Sequence, residues 1–241
     1  MPFSSSPPVS LTPSRPHCPV CLRPLRACWC GCVRTVSSQV QLLVLQHPQY
    51  HGHAKNTARL LHLCLPGSRL EVGEQFADHD VQAWLHGPWH GQAPDAVVHP
   101  VLLYPPTPPD PQLPVIAPPD LPAVWRKQPQ LLRLVVIDGT WRKSRKMLYL
   151  NPALQALPRW ALHDVPPGRY TIRKAQRPGQ LSSFEAAALA LAQMHSAADA
   201  QALWVPLMAS FEAAMQLHQG LEAAGRAAQS SSEAKSGVQH W

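Results

Sequence analysis

Leu132-Arg-Leu-Val-Val-Ile-Asp-Gly-Thr-Trp141 is the stretch on which the reading of this chain turns. From Leu132 to Ile137 it is apolar and β-branched apart from Arg133, with no polar alternation, the pattern of a strand buried on both faces. Asp138 therefore stands just outside a buried strand, where a carboxylate can reach a ligand. Thr140 adds a hydroxyl, and Trp141 a flat surface on which a base can stack. A helix is predicted from Arg142 to Tyr149, ending before Pro152. Arg142, Lys143, Arg145 and Lys146 fall within about one and a half helical turns, so some of them face solvent or a ligand. Two plainer readings stand beside this one. Asp138 could simply cap the helix, and the cations could form an ordinary solvated face. An acid, a hydroxyl, an aromatic ring and a basic cluster at one strand end are harder to dismiss together.

Working outward, Val40–Leu45 is a second apolar, β-rich run and reads as another buried strand. A loop with His47, Pro48, His51, Gly52 and His53 follows, then a helix from Asn56, a suitable N-cap, to the stop at Pro66-Gly67. Ala96–Tyr104 reads as a strand shortened or interrupted by Pro100. The proline-dense 105–122 stretch can be neither helix nor central strand and reads as an exposed loop. Ser182-Ser-Phe-Glu185 fits a capping box that opens a helix to about His195, and another helix is expected near Pro206–Gly220. Strands alternating with helices argue for an α/β fold with a largely parallel sheet. In such sheets ligands bind beyond the carboxyl ends of strands, which gives the histidine loop and the Asp138 turn the same address. The three histidines leave a metal reading open, but their position says more than their ring type.

The chain has 241 residues, 45% of them hydrophobic and 15% charged, enough for one domain with a sizeable core. Lys and Arg number 21 against 14 Asp and Glu, a formal charge of +7 that favours a polyanionic partner. No apolar run approaches the length of a membrane span. Residues 1–16 are Ser/Pro-rich without a secretory core and read as a disordered leader. A cytoplasmic location is the expectation, with cysteines kept reduced. Cys18-Pro-Val-Cys21 and Cys28-Trp-Cys30 then form two knuckles that can bring four thiolates around one structural Zn2+. Cys32 has the spacing to replace Cys30, and disulfides or chance are the plainer alternative. Cys64 lies on an apolar helix pattern and reads as core. The main domain is expected over 17–220, and the Ala/Ser/Gln-rich 221–241 stretch reads as a fraying tail.

These residues carry a resemblance. The chain resembles the DTW-domain proteins, whose Asp-x-Thr-Trp signature stands here as Asp138-Gly139-Thr140-Trp141, followed by Arg145-Lys146-Met147. Three further blocks keep the family's order: the Cys18–Cys30 cluster; His47-Pro48 with Asn56-Thr57-Ala58-Arg59-Leu60; and Tyr170-Thr-Ile-Arg173-Lys174-Ala175 with Leu181-Ser182-Ser183-Phe184-Glu185-Ala186. The resemblance implies a tRNA-uridine aminocarboxypropyltransferase of the SPOUT superfamily. Such an enzyme moves the 3-amino-3-carboxypropyl group of S-adenosylmethionine (SAM) to N3 of a tRNA uridine and releases methylthioadenosine. A C-terminal knot holding SAM is implied by the resemblance alone.

With it come expected roles. Asp138, as base or orienter of uridine N3, Thr140 and Trp141 are catalytic candidates. Asn56, Thr57, Arg59, Arg173, Ser182, Ser183 and Glu185 are SAM-site candidates, and Arg142, Lys143, Arg145, Lys146 and Lys174 candidates for RNA phosphates. Each has a plainer alternative: a packed core Trp141, a surface Arg59, a Ser182–Glu185 pair that only caps. Members often carry Glu two residues after His-Pro, where this chain has Tyr50. A SAM-dependent RNA methyltransferase, a zinc-containing RNA binder without chemistry, and transfer to rRNA are the rival readings.

Overall fold

The structure is a computed structural model that describes residues 16–52, 56–89, 91–167 and 181–236. Five parallel strands form its sheet: β1 (Gln41–Gln46), β2 (Arg69–Val72), β3 (His99–Leu103), β4 (Leu132–Asp138) and β5 (Arg159–Trp160). Their order is β2-β1-β4-β3-β5, so the two most apolar strands lie side by side at the centre. The helices are α1 (Ala58–Cys64), α2 (Asp78–His86), α3 (Trp141–Leu150), α4 (Pro152–Gln155), α5 (Ser183–Met194) and α6 (Ala197–Ser236).

Side chains of β1 and β4 alternate between two cores. Leu42, Val44, Leu134 and Val136 pack with α1, α5 and α6. Leu43, Leu45, Val135 and Ile137 pack with α2, α3 and α4. A strand buried on both faces is apolar along most of its length, which is why neither run alternates. Each such Leu or Val contributes roughly 1.5–3 kcal/mol of burial, enough to fix the register and hence what stands at the strand ends.

Several boundaries differ from the sequence reading, each for a visible reason. Pro100 does lie inside β3. The Leu102 amide donates toward β5, to Pro158 O at 2.9 Å, and in a parallel strand residue 100 faces the same way. β5 pairs only with Leu102 and Leu103, so the missing N–H at Pro100 falls where no strand asks for it. The helix after β4 starts at Trp141, one residue early, because Thr140 caps it. The expected break after Gly220 does not occur. α6 runs on to Ser236, since Ala is the commonest residue of that stretch and one Gly225 costs only about 1 kcal/mol. Segment 105–122 contains neither helix nor strand, as expected.

The cysteine segment packs on the α1/α5/α6 side. Trp29 is fully buried, with Arg23 stacked over its ring at 3.6 Å, and the Arg34 amide donates to Ser210 Oγ of α6 at 2.9 Å. Among the described residues, no helix is long and apolar enough to cross a membrane.

Candidate active site at the carboxyl ends of the central strands

The β1–β4 register sets Gln46 directly beside Asp138, so both strands end at one place. Asp138 is 6% exposed. Gln46 Nε2 donates to its Oδ2 at 3.0 Å, and Ser183 Oγ, from the first turn of α5, donates to its Oδ1 at 2.6 Å. Both oxygens thus accept hydrogen bonds, which fix the plane of the carboxylate. The helix-cap alternative for Asp138 is not what the structure adopts. Thr140 is the N-cap of α3, accepting from the Lys143 amide at 3.4 Å.

Ser183 reaches Asp138 because α5 begins with a complete capping box. The Ser182 amide and hydroxyl both donate to Glu185 Oε2 at 2.8 Å, and the Glu185 amide donates back to Ser182 Oγ at 3.2 Å. Ser182 and Glu185 are both buried. Their observed work is to place Ser183.

The rim is aromatic and basic. Trp141 is 58% exposed, which overturns the packed-core alternative. Its indole meets Tyr104 edge-on, with ring centres 6.1 Å apart. Arg142 is exposed and Lys143 half-buried. Arg145 and the exposed Lys146 are both engaged by other parts of the chain. Arg145 donates to the carbonyls of Pro108 and Leu113 and pairs with Asp110. Lys146 pairs with Glu74 at 2.7 Å.

On the other side of Asp138, the β1–α1 loop is fastened. The His47 amide donates to the Asp138 carbonyl at 2.9 Å. His47 Nδ1 accepts from the Gln49 amide at 3.2 Å, so Nε2 carries the proton and donates to Glu74 Oε1 at 3.1 Å. Both ring nitrogens are occupied, and the histidine-loop metal reading finds no support at His47; His53 lies outside the described residues. Hydrogen bonds from Lys146 and then His47 hold the Glu74 carboxyl below its usual range. Tyr50 packs its ring edge-on against His47 at 6.3 Å.

Asn56 is buried and fully engaged, donating to Tyr50 O at 2.9 Å and accepting from the Ala58 amide at 2.9 Å. It closes the loop onto α1. Thr57 is buried and makes no side-chain cap bond. Arg59 turns to the cysteine segment, donating to Val20 O through Nη2 at 2.8 Å and Nε at 3.2 Å. The cleft between them, lined by Gln46, Asn56, Arg59 and Cys21, has about 10 Å3 of free space, room for about one water. Asn56 and Arg59 thus fasten the loop to α1 and to the cysteine segment.

Cys18, Cys21, Cys28 and Cys30 gather at the end of that arrangement. Their four sulfurs lie within 4.8 Å of one another, with Cys18–Cys30 and Cys21–Cys28 both at 3.6 Å. A tetrahedral ion with ~2.3 Å metal–sulfur bonds needs sulfurs ~3.8 Å apart, so this set can hold a metal ion. The backbone amides of Cys21 and Val20 draw the Cys18 thiol down to about 6. Burial, then the neighbouring sulfurs, push Cys30 up to about 12. Cys30, not Cys32, completes the set. Cys32 packs against the core beside buried Cys64.

A model of the DTW domain matches residues 15–219. The chain belongs to the DTW-domain family. Relatives of this DTW domain include the fruit-fly protein named tRNA-uridine aminocarboxypropyltransferase 2, 31% identical over 192 residues, 76% of this chain and 68% of that protein. The mouse protein of the same name is 27% identical over 76% of this chain and 58% of its own length, and the crab-eating macaque protein is 25% identical over the same shares. This DTW domain thus spans about six-tenths of the mammalian proteins it matches. No solved structure matches it significantly.

Of the residues singled out in the sequence, the fold brings Asp138, Thr140, Trp141, Ser182, Ser183 and Glu185 together. It sends Arg59 to the cysteine knuckle and Arg145 to the proline-rich loop. Arg173 and Lys174 lie outside the described residues. Sequence reasoning missed Gln46 and Glu74. Gln46 could have been found as the polar residue that ends a buried strand, as Asp138 does on β4.

Proposed function

We propose that this DTW domain transfers the 3-amino-3-carboxypropyl group of SAM to N3 of a tRNA uridine, releasing methylthioadenosine. The observation that carries this reading is Asp138, a buried carboxylate held on both oxygens at the carboxyl end of the central strand and flanked by an exposed indole. The names of the fly, mouse and macaque relatives support the reaction class.

Uracil N3 bears a weakly acidic proton. Asp138 accepts it, or orients it toward solvent, and the N3 lone pair forms the new N–C bond to the γ-carbon of the donor's methionine moiety. The C–S bond breaks, and its electron pair neutralises the sulfonium. Each carbon on that sulfur is open to attack, so the site selects the product by which carbon it presents. Gln46 and Ser183 keep Asp138 in one plane throughout. Trp141 stacks on a base, worth ~1–3 kcal/mol by analogy with single-stranded nucleic-acid readers. Arg142 and Lys143 meet RNA phosphates; Lys174 joins them and Arg173 serves the donor's carboxylate. Thr57 lines the donor side of the loop. The finer fold assignment, a SPOUT-like knot around SAM, belongs to this proposal. The all-parallel sheet and the contact of α5 with Asp138 support it, and segment 168–180 is where the test falls.

Zn2+ suits the cysteine set by sulfur softness and tetrahedral spacing. Held by Cys18, Cys21, Cys28 and Cys30, it would supply a rigid knuckle against which Arg59 braces the β1–α1 loop. Reduced thiolates of this kind fit a cytoplasmic enzyme.

The test uses purified protein, unmodified tRNA transcripts and SAM, with digested nucleosides read by mass and methylthioadenosine assayed alongside. A uridine heavier by one aminocarboxypropyl group is expected. A methylated nucleoside with S-adenosylhomocysteine would overturn the proposal in favour of methyl transfer, and product on rRNA alone would reassign the acceptor.

A further inference from the structure

Beneath the proline-rich segment, past the carboxyl ends of β3 and β5, lies a cavity of about 660 Å3. Prolines between positions 106 and 118, Ile116 and Ala161 make its apolar walls, and Tyr104, Arg145 and Arg159 also line it. The wall is fastened in place. Arg145 donates to Pro108 O at 2.7 Å and to Leu113 O at 3.0 Å. The Ile116 amide donates to Gln155 Oε1 at 2.9 Å.

Arg145 is satisfied by these bonds, whereas Arg159 is not. All three guanidinium nitrogens of Arg159 are shut off from solvent and have no hydrogen-bond partner. The guanidinium lies 5.1 Å from the centre of the Tyr104 ring, and burial depresses its pKa. A cation in that position has lost its hydration with no acceptor in return. Such groups are rare in folded proteins, and an absent anion or water is a standard reason for one. Tyr104 also meets Trp141 on the site's rim, so the cavity and the exposed indole stand around one side chain.

We propose that this cavity binds one nucleotide unit, with its base against Tyr104 and the prolines and its phosphate on Arg159. The guanidinium calls for an oxyanion, and its planar fork suits a phosphate. The tyrosine and proline walls call for a flat, weakly polar body. The volume falls in the range of small-molecule pockets, ~300–1,000 Å3, and far exceeds what a lone phosphate needs. Because all three nitrogens are shut off from solvent, the Arg159 side chain must swing toward the cavity to meet the phosphate. The inference rests on the proposed function in one respect: the nucleotide is taken to belong to the RNA whose uridine lies at Asp138. A free nucleotide presents the same chemistry.

The experiment is calorimetric titration of the full chain with uridine monophosphate and with uridine, without SAM. The monophosphate is expected to bind about tenfold or more tightly than uridine, as a charge-assisted hydrogen bond implies. Arg159→Gln should erase that preference, Arg159→Lys should keep part of it, and Asp138→Asn should leave it intact. Arg159→Gln should also melt no lower than the parent protein, because it removes an unpaired buried charge. The source is read from tRNA binding against salt. If Arg159→Gln lowers the slope of log K on log salt by about one, the nucleotide is part of the RNA. If the slope is unchanged while the monophosphate preference holds, the cavity takes a free nucleotide. Equal binding of uridine and its monophosphate, or full monophosphate binding by Arg159→Gln, would overturn the proposal. None of these readings needs turnover, so failure of the transferase assay leaves them standing and their failure leaves the transferase reading untouched.

Discussion

Replacing Asp138 by Asn and by Ala separates its chemistry from its packing. In Asp138→Asn the shape is kept. The amide oxygen still accepts from Gln46 Nε2, now 3.0 Å from Oδ2, and the amide nitrogen can donate to Ser183 Oγ, whose hydroxyl turns to accept. Both contacts survive, so stability should change by less than ~1 kcal/mol. In Asp138→Ala both contacts go. Gln46 is 1% exposed, so its amide is left without its partner at a cost of roughly 1–3 kcal/mol. For a chain of this length that corresponds to a melting point lower by roughly 3–9 °C. Transfer should fail in both variants, because an amide neither takes the N3 proton nor offers the same acceptor. The assays are thermal melting and nucleoside mass analysis on the same preparations. A variant Asp138→Asn that transfers at the parental rate would remove Asp138 from the chemistry. One that melts as low as Asp138→Ala would show that the two hydrogen bonds are not arranged as described.

Trp141→Ala should weaken tRNA binding by about 5- to 150-fold, from a stacking contribution of ~1–3 kcal/mol, while the melting point stays nearly fixed because the indole is 58% exposed; filter binding and melting check this together. Elemental analysis should find about one zinc per chain. Cys21→Ser should lose it and expose the knuckle to proteolysis, since such sites contribute on the order of 10 kcal/mol. Glu74→Gln should reveal a pH dependence. The Glu74 carboxyl is held below its ordinary value by Lys146 and His47, so its contribution is present above the unfolded-state carboxylate value and is lost as pH falls through the lower folded value. The parent's small stability advantage over the variant, seen near neutral pH, should therefore vanish in acid titration; an advantage that grows in acid would contradict the ion pair.

The sheet's centre was legible in the sequence because β1 and β4 carry unbroken apolar runs, Leu42–Leu45 and Leu134–Ile137, and the α5 capping box because its residues are local. β2 was not, since Arg69-Leu-Glu-Val72 is a half-buried edge strand without the apolar density that marks a core strand. β5 has two residues, too few for any periodicity. At the site, Asp138, Trp141 and Ser183 stood out by type and position. What could not be read was pairing. Gln46 meets Asp138 through strand register, and Glu74 joins His47 to Lys146 through a loop crossing, neither of which has a local signature. Arg59 likewise reaches Val20 O of the cysteine segment, a pairing between distant parts of the chain that no local pattern announces.

The carboxylate at the centre of the site draws its partners from far along the chain, Gln46 at 92 residues and Ser183 at 45. On a ribosome, β1 emerges long before β4, and Ser183 later still. At ~5–20 residues per second, several seconds separate the first of the three from the last. For the last 45 residues of it, roughly 2–9 s, the nascent chain carries the acid with Gln46 already made and Ser183 still to come. Contacts of such long sequence separation also form late in folding, because the loops between them must close first. A product cut short before α5 would lack Ser183 and also the α5 and α6 side chains that cover one face of β1 and β4, so it would have neither the fixed acid nor that core. Assembly of the site thus acts as a late checkpoint on synthesis, passed only when the chain has been made through α5.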